Sequence, residues 1–316
     1  MKYTFLLPAY KGRFLDEMLR SNQGQTYRDF KVIISDDCSP EDLRSICEPY
    51  LSDPRFTYRR NAENMGSKSL VSHWNLLVDM CDTEFLIMAS DDDVYEPQFL
   101  EEIDKLTQKH RQVDLFRARV KRVDEQNKAL INDGVFEEFV DQLHYIHQIF
   151  LSNHISCISN YCFRTEILKC KGSFIDFPRA WFSDDATTMM IAENGCCNTS
   201  VTLFGFRSSS INISGKWGCA DDSKEKLDAV LSFYRWFNDY INQKYGSGYA
   251  EEPLLPDVLR RCCKSKAERS ATGYSINCLW KDVNHYARRC QCELGLSYWV
   301  LLYYWLRRKL ISRNKC

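Results

Sequence analysis

The chain of 316 residues has no apolar run of the roughly 20 residues needed to cross a bilayer; its longest aromatic-aliphatic stretch is residues 294–306. It has no excess of positive charge. A net charge of −1 argues against a general nucleic-acid binder, which carries a basic surplus. No Cys-x-x-Cys pair occurs among the 15 cysteines. Cys262, Cys263, Cys278, His285, Cys290 and Cys292 share one region without the paired spacing of a structural zinc site, so buried free cysteine is the better reading. The start, Met1-Lys2-Tyr3, runs straight into a strand-like segment without the pattern of a secretory leader. Reduced thiols in a cytoplasmic protein are therefore expected. There is no internal repeat or low-complexity tract. No glycine-rich loop follows the first strand-like run, where the sequence reads Pro8-Ala9-Tyr10-Lys11-Gly12-Arg13.

What is present is an alternation. Apolar, β-branched runs at 3–8, 30–35, 56–59 and 84–89 read as strands, and amphipathic stretches at 14–23, 67–80 and 97–110 as helices. Ser39, followed by Pro40, reads as the N-cap of a further helix. This order predicts an α/β domain, a mostly parallel sheet flanked by helices, in which ligands bind beyond the carboxyl ends of the strands. Residues 113–207 read as mixed, with a strand at 115–123 and helices near 141–151 and 185–194. From residue 223 the pattern is helical, at 224–244, 253–270 and 277–312, with Gly246-Ser247-Gly248 as a hinge-like linker. The expected organisation is a domain over 1–222, with halves 1–112 and 113–222, and a helical extension over 223–316.

Chemistry gathers at three strand ends: Pro8-Ala9-Tyr10, Asp36-Asp37 and Asp91-Asp92-Asp93. Three adjacent carboxylates at the end of a buried strand repel one another and raise each other's pKa values. A divalent cation relieves that cost, and Mg²⁺ or Mn²⁺ accepts one or two carboxylates together with phosphate oxygens and water.

Pro8-Ala9-Tyr10, Gln25-Thr26-Tyr27, Ser35-Asp36-Asp37-Cys38-Ser39, Asn64-Met65-Gly66 and Ser90-Asp91-Asp92-Asp93 resemble, in order and spacing, the nucleotide-sugar half of the family 2 glycosyltransferases. Phe163-Arg164, Gly172-Ser173-Phe174 and Ser183-Asp184-Asp185 continue the resemblance more weakly. Cys38 stands where the family has glycine, so the turn is expected to differ slightly. The resemblance implies a GT-A fold, with a Rossmann-like sheet, and a metal-dependent, inverting hexosyltransferase of the kind that builds surface polysaccharide. Its donor would be a nucleoside diphosphate sugar, a UDP-sugar first, and its acceptor a glycan or a lipid-linked glycan. It further implies that Asp37 meets the base, with Tyr10 against the ring and Pro8 and Ala9 shaping the pocket. Asp91 would hold the ribose and Asp93 the Mn²⁺ or Mg²⁺. Asp92 could serve in either place, because a triplet leaves the Asp-x-Asp register open. Ser67 and Lys68, at an expected helix start, would face the phosphates. Asp185 would be the base, with Asp184 modulating it and Trp181 upstream as either a sugar platform or a core residue.

Two other classes share some of these features: a sugar-phosphate nucleotidyltransferase, disfavoured by the missing glycine-rich loop, and a non-catalytic binding module, disfavoured by the retained Asp93 and Asp185. In the tail, Tyr298, Trp299, Tyr303, Tyr304 and Trp305 precede Arg307, Arg308, Lys309, Arg313 and Lys315. Residues 294–316 read either as an interfacial helix on the inner face of the cell membrane or as a helix packed on the domain.

Overall fold

The computed structural model describes residues 1–209, 220–246 and 255–313. Its contacts divide the chain into two compact units, Met1–Asp176 with Ser183–Asn212, and Phe177–Phe182 with Ile213–Cys316.

The first unit runs β1 (Tyr3–Ala9), α1 (Leu15–Gln23), β2 (Phe30–Asp36), α2 (Leu43–Cys47), β3 (Phe56–Arg60), α3 (Leu70–Met80), β4 (Phe85–Met88), β5 (Val94–Tyr95) and α4 (Phe99–Lys109). It continues with β6 (Leu115–Val123), β7 (Ala129–Asn132), β8 (Phe139–Val140), α5 (Gln142–Ile149), β9 (Tyr161–Arg164), α6 (Thr165–Cys170), α7 (Ser183–Ile191) and β10 (Cys196–Arg207). The strands form one sheet in the order β3-β2-β1-β4-β9-β6-β10-β5, with β7 on β6 and β8 on β10. β3, β2, β1 and β4 are parallel neighbours. β9 runs antiparallel between β4 and β6, and β10 returns parallel to β6.

Strands buried on both faces read as continuous apolar runs rather than alternations, as Phe5-Leu6-Leu7 and Phe85-Leu86-Ile87-Met88 do. Below them Tyr95 is the hub of an aromatic cluster, with ring centroids 5.0 Å from Phe5, 4.6 Å from Phe99 and 5.0 Å from Phe204.

Three local expectations need correction. Ser39 does not cap α2. Asp42 does, accepting from the Ser45 N–H at 3.2 Å, while the Ser39 hydroxyl donates to the Tyr10 carbonyl at 2.6 Å. α3 begins at Leu70 rather than at residue 67, because the Ser69 hydroxyl accepts from the Ser72 N–H at 3.0 Å and caps it there. Tail residues 277–312 are not one helix, since Gly295 breaks them.

The second unit holds α8 (Ala220–Tyr245), α9 (Leu255–Ser275), α10 (Trp280–Leu294) and α11 (Tyr298–Arg313). Gly295, at φ 67°, ends α10 in the left-handed conformation that glycine adopts without a Cβ penalty. The segment Phe177–Phe182 belongs to this unit: Phe182 stacks on Phe233 of α8 at 4.8 Å, and Arg179 pairs with Asp222 at 3.1 Å. Trp181 packs edge-on to Tyr274 at 5.9 Å, with the Lys226 ammonium 4.6 Å from its ring. Of the linker Gly246-Ser247-Gly248 only Gly246 lies among the described residues, as does only the part of the helix expected from 253 that begins at Leu255. No helix among the described residues is long and apolar enough to cross a membrane.

Candidate functional site

Because β1, β2 and β4 are parallel neighbours, their carboxyl ends bring Tyr10, Asp37 and the aspartate triplet to one edge of the sheet. The three aspartates face different ways. Asp91 Oδ2 accepts from the backbone N–H groups of Tyr10 at 2.8 Å and Lys11 at 2.7 Å, so it clamps the loop leaving β1. Asp92 Oδ2 lies 3.4 Å from the Lys11 ammonium, and its Oδ1 accepts from the Ser90 hydroxyl. Asp93 Oδ1 accepts from the Arg207 N–H at 2.9 Å. All three are buried. Burial first, and the neighbouring Asp92 charge second, push Asp91 up to about 6, against the opposing pull of Lys11. The same two causes hold Asp93 well above the ordinary carboxylate range.

Arg207 ends β10 and has no precedent in the sequence reading. The antiparallel pairing of Gly205 with Val94 and Phe204 with Tyr95 carries β10 past the triplet. The fully buried guanidinium then donates through Nε to the Asp92 carbonyl at 2.8 Å, through Nη1 to the Glu125 carbonyl at 3.0 Å, and through Nη2 to Glu17 Oε2 at 2.8 Å. It also lies 4.2 Å from the centroid of Phe14. One side chain thus ties the triplet's backbone to the start of α1. No local motif marks it, because the contact joins positions more than a hundred residues apart.

At the end of β2 the two aspartates divide their work. Asp36 is structural: it accepts from the Ser39 N–H at 2.8 Å, the Tyr58 hydroxyl at 2.6 Å and Arg60 at 2.6 Å. Asp37 Oδ1 accepts from Asn61 Nδ2 at 2.8 Å and the Met65 N–H at 2.9 Å, and Oδ2 from the Gly66 N–H at 2.7 Å. A Cβ on residue 66 would sit 3.0 Å from that Oδ2, which is why Asn64-Met65-Gly66 ends in glycine. Behind it, buried His73 lies 3.6 Å from Asp37 and 3.0 Å from the Ser35 hydroxyl. Burial lowers its pKa, more strongly than Asp37 raises it. A carboxylate offers about four lone-pair sites, so Asp37 keeps room for one further donor. Cys38 stands at φ 54°, the left-handed conformation the turn needs.

Tyr10 is 39% exposed, so its ring is not a packed core aromatic. Ala9 is in the core and its carbonyl accepts from the Asp37 N–H at 2.8 Å; Pro8 is half-buried beside it. Ser67 and Lys68 lie in the turn before α3. The Ser67 N–H donates to Asn64 Oδ1 at 2.8 Å and Lys68 pairs with Glu63 at 2.8 Å, both exposed. The helix start expected to carry them lies farther along.

Asp184 and Asp185 open α7, where acids complement the helix dipole. Asp185 is buried, Asp184 is half-buried, and Asp184 Oδ1 accepts from the Asp185 N–H at 2.9 Å. The Cys157 thiol is pushed far up by burial, then by the charges of both Asp93 and Asp184. The triplet and the start of α7, some ninety residues apart, therefore bear on the same thiol.

Among the described residues no group of three or more His, Cys, Asp or Glu side chains is arranged to hold a metal ion. A cation of the Mg²⁺ or Mn²⁺ type needs no such cage where substrate phosphates and water complete its shell. The donor set fits that kind of ion: Asp93 is a buried carboxylate whose charge is opposed by its surroundings, with one oxygen engaged by a single N–H.

The sequence model described as Glycosyl transferase family 2 matches residues 4–171. An uncharacterized glycosyltransferase of Methanocaldococcus jannaschii is 24% identical over 162 residues, covering 50% of this chain and 53% of the relative, so the chain spans about half the length of that curated relative. Among solved structures, residues 1–349 of S. aureus TarS in complex with UDP-GlcNAc superpose with a TM-score of 0.63 at 17% identity, covering 96% of this chain and 91% of that one. The mannosyltransferase PcManGT of Pyrobaculum calidifontis, in complex with GDP-Man and Mn²⁺, gives 0.55 at 14% identity, covering 98% and 86%.

Proposed function

The chain belongs to glycosyltransferase family 2 and has the GT-A fold, and we propose that it moves a sugar from a nucleoside diphosphate sugar to a hydroxyl of a glycan or lipid-linked acceptor, with inversion at the anomeric carbon. The observation that supports this reading is the meeting of Tyr10, Asp37 and Asp93 at one sheet edge, with Asp184, which opens α7 beside Asp185, bearing on the Cys157 thiol that Asp93 also bears on.

In this reading the exposed Tyr10 ring lies against the base, with Pro8 and Ala9 shaping the pocket by their backbone. The remaining acceptor site on Asp37 takes an N–H of the base; a uracil has one, which favours a UDP-sugar. Asp91 positions the ribose end of the pocket through the loop it clamps. Asp93 would hold the divalent cation, and Asp92 would either share it or be held off by Lys11. When bound, that cation offsets the charge that develops on the departing diphosphate. Ser67 and Lys68 contribute to the phosphate end only if Lys68 leaves Glu63.

Asp185 accepts the proton of the acceptor hydroxyl as its oxygen bonds to the anomeric carbon. The bond from that carbon to the diphosphate breaks in the same step and the nucleoside diphosphate leaves. Asp184, bonded to the Asp185 backbone, orients the start of the helix. Asp185→Asn is expected to bind donor with unchanged affinity, by titration calorimetry, while nucleoside diphosphate release with acceptor falls by at least about 10²-fold. A loss of donor affinity with turnover retained would refute the role, and loss of turnover in Asp184→Asn with Asp185→Asn still active would move the base by one residue.

A further inference from the structure

α11 presents a face that sugar transfer leaves unused. Leu301 and Leu302, at 0% and 4% exposure, are its inward side. Trp305 also turns in, its Nε1 donating to the Cys278 carbonyl at 2.8 Å and its ring 5.3 Å from Trp280. On the other side Trp299, Tyr303, Leu306 and Leu310 recur at intervals of four, three and four, which is the spacing of one helical stripe. They are 72%, 59%, 49% and 62% exposed. Four large apolar side chains held in water along a single line are not explained by folding.

The charge beside the stripe has one sign. Arg307, Arg308 and Lys309 are all exposed, and α11 contains no acidic residue. At roughly 3.6 residues per turn, Arg307 and Lys309 fall on the two flanks of the stripe. Long basic side chains in that position reach outward past an apolar face that is sunk in lipid. A second copy of the chain fits less well, because α11 offers no acidic residue to face the basic flanks of its twin.

We propose that this stripe is a membrane-docking surface, and that α11 lies in the plane of a bilayer bearing anionic lipids. Trp299, Tyr303, Leu306 and Leu310 enter the boundary between headgroups and acyl chains, and Arg307 and Lys309, on the flanks, meet lipid phosphates. A helix of 16 residues is about 24 Å long, short of the hydrocarbon thickness, and its basic end would not enter hydrocarbon. Lying flat is therefore the geometry open to it. This inference does not depend on the transfer reaction.

Cosedimentation of the full chain tests it, with vesicles of phosphatidylcholine alone and of phosphatidylcholine mixed with phosphatidylglycerol, at low and high salt. The expected result is binding to the mixed vesicles that salt weakens, with little binding to the neutral ones. Replacing Arg307 and Lys309 together by Gln is expected to lower the partition coefficient about 25-fold, about fivefold for each charge. Trp299→Ser with Leu310→Ser is expected to lose binding while the thermal midpoint stays unchanged; should that pair disturb the helix, the charge variant alone decides. The proposal is overturned if the chain stays in the supernatant with both vesicles, if both compositions bind equally, or if the charge variant binds as before. It is also overturned if the apolar pair abolishes a concentration-dependent dimer seen by sedimentation velocity and no vesicle binding is found.

Discussion

Arg207 is the residue whose loss is expected to reach furthest for its size, because its backbone N–H holds Asp93 and its guanidinium holds the Asp92 carbonyl, Glu125 and Glu17. Arg207→Met keeps the backbone bond and the packing on Phe14 but frees the loop. Its ionic partner Glu17 is 41% exposed and can turn to water, so the stability cost should be about 1–3 kcal/mol rather than that of a fully buried pair. The larger effect belongs to the site: the Mn²⁺ concentration needed for half-maximal nucleotide binding is expected to rise about 10–100-fold, measured by thermal shift with UDP. An unchanged Mn²⁺ requirement would make Arg207 a scaffold residue only. Nothing near position 207 announced this role. The aspartates were readable because adjacent like charges on a strand end are costly wherever the rest of the chain lies; an arginine acquires its meaning only from its distant partners. Cys38 is the opposite case. It stands where the family has glycine, and the backbone keeps the left-handed conformation that glycine would adopt, at a cost of roughly 1–2 kcal/mol for a residue with a Cβ.

Helix starts show how far local chemistry reaches. Two serines precede apolar helical stretches, Ser39 and Ser69, and only Ser69 caps. Ser39 is drawn instead to the Tyr10 carbonyl, a tertiary contact that outbids the local one, and Asp42 caps three residues later. Ser69→Ala is expected to lower stability by about 1 kcal/mol through the loss of the α3 cap. Urea denaturation checks it, and an unchanged midpoint would show that the bond to Asp176 at 2.8 Å, also lost, carries nothing and that the cap is supplied by water. The parallel strands β1, β2 and β4 were legible as apolar runs closed by turn residues. β9 and β10 were not. β9 has only four residues, and β10 changes register against β6 between Asn198 and Phe204, which breaks the alternation that a reader of sequence depends on.

At the scale of the molecule, the first unit rests on a sheet whose central strands bury both faces, and one buried network ties that sheet to the site. His73, packed beneath Asp37, Asn61 and Ser35, has its pKa lowered by burial, so the folded state holds it neutral. The unfolded chain binds a proton more readily, near pH 6.5. Its contribution is thus complete above that pH and is lost as pH falls toward the lower folded pKa. Asp91 and Asp93, raised in the fold, gain stability over the same range, so the His73 effect is read as a difference: from pH 7 to pH 5 the wild type is expected to lose stability in urea relative to His73→Gln, which keeps a hydrogen-bonding side chain. The same pH slope in both proteins would assign it to other groups. The family resemblance ran through the first unit as far as the start of α7, and the fold followed from it. The second unit carries no motif, so its helices were legible and residues 294–316 could be read as interfacial or packed, but the break at Gly295 and the side of α11 that faces outward were not. Whether Asp93 joins a divalent cation to a sugar nucleotide is decided by titration calorimetry of UDP with the wild type and Asp93→Asn, each with and without Mn²⁺. The expected result is UDP binding by the wild type that Mn²⁺ strengthens at least about tenfold and that Asp93→Asn no longer couples to the metal. Equal UDP affinity in all four titrations, or undiminished Mn²⁺ coupling in Asp93→Asn, would contradict it.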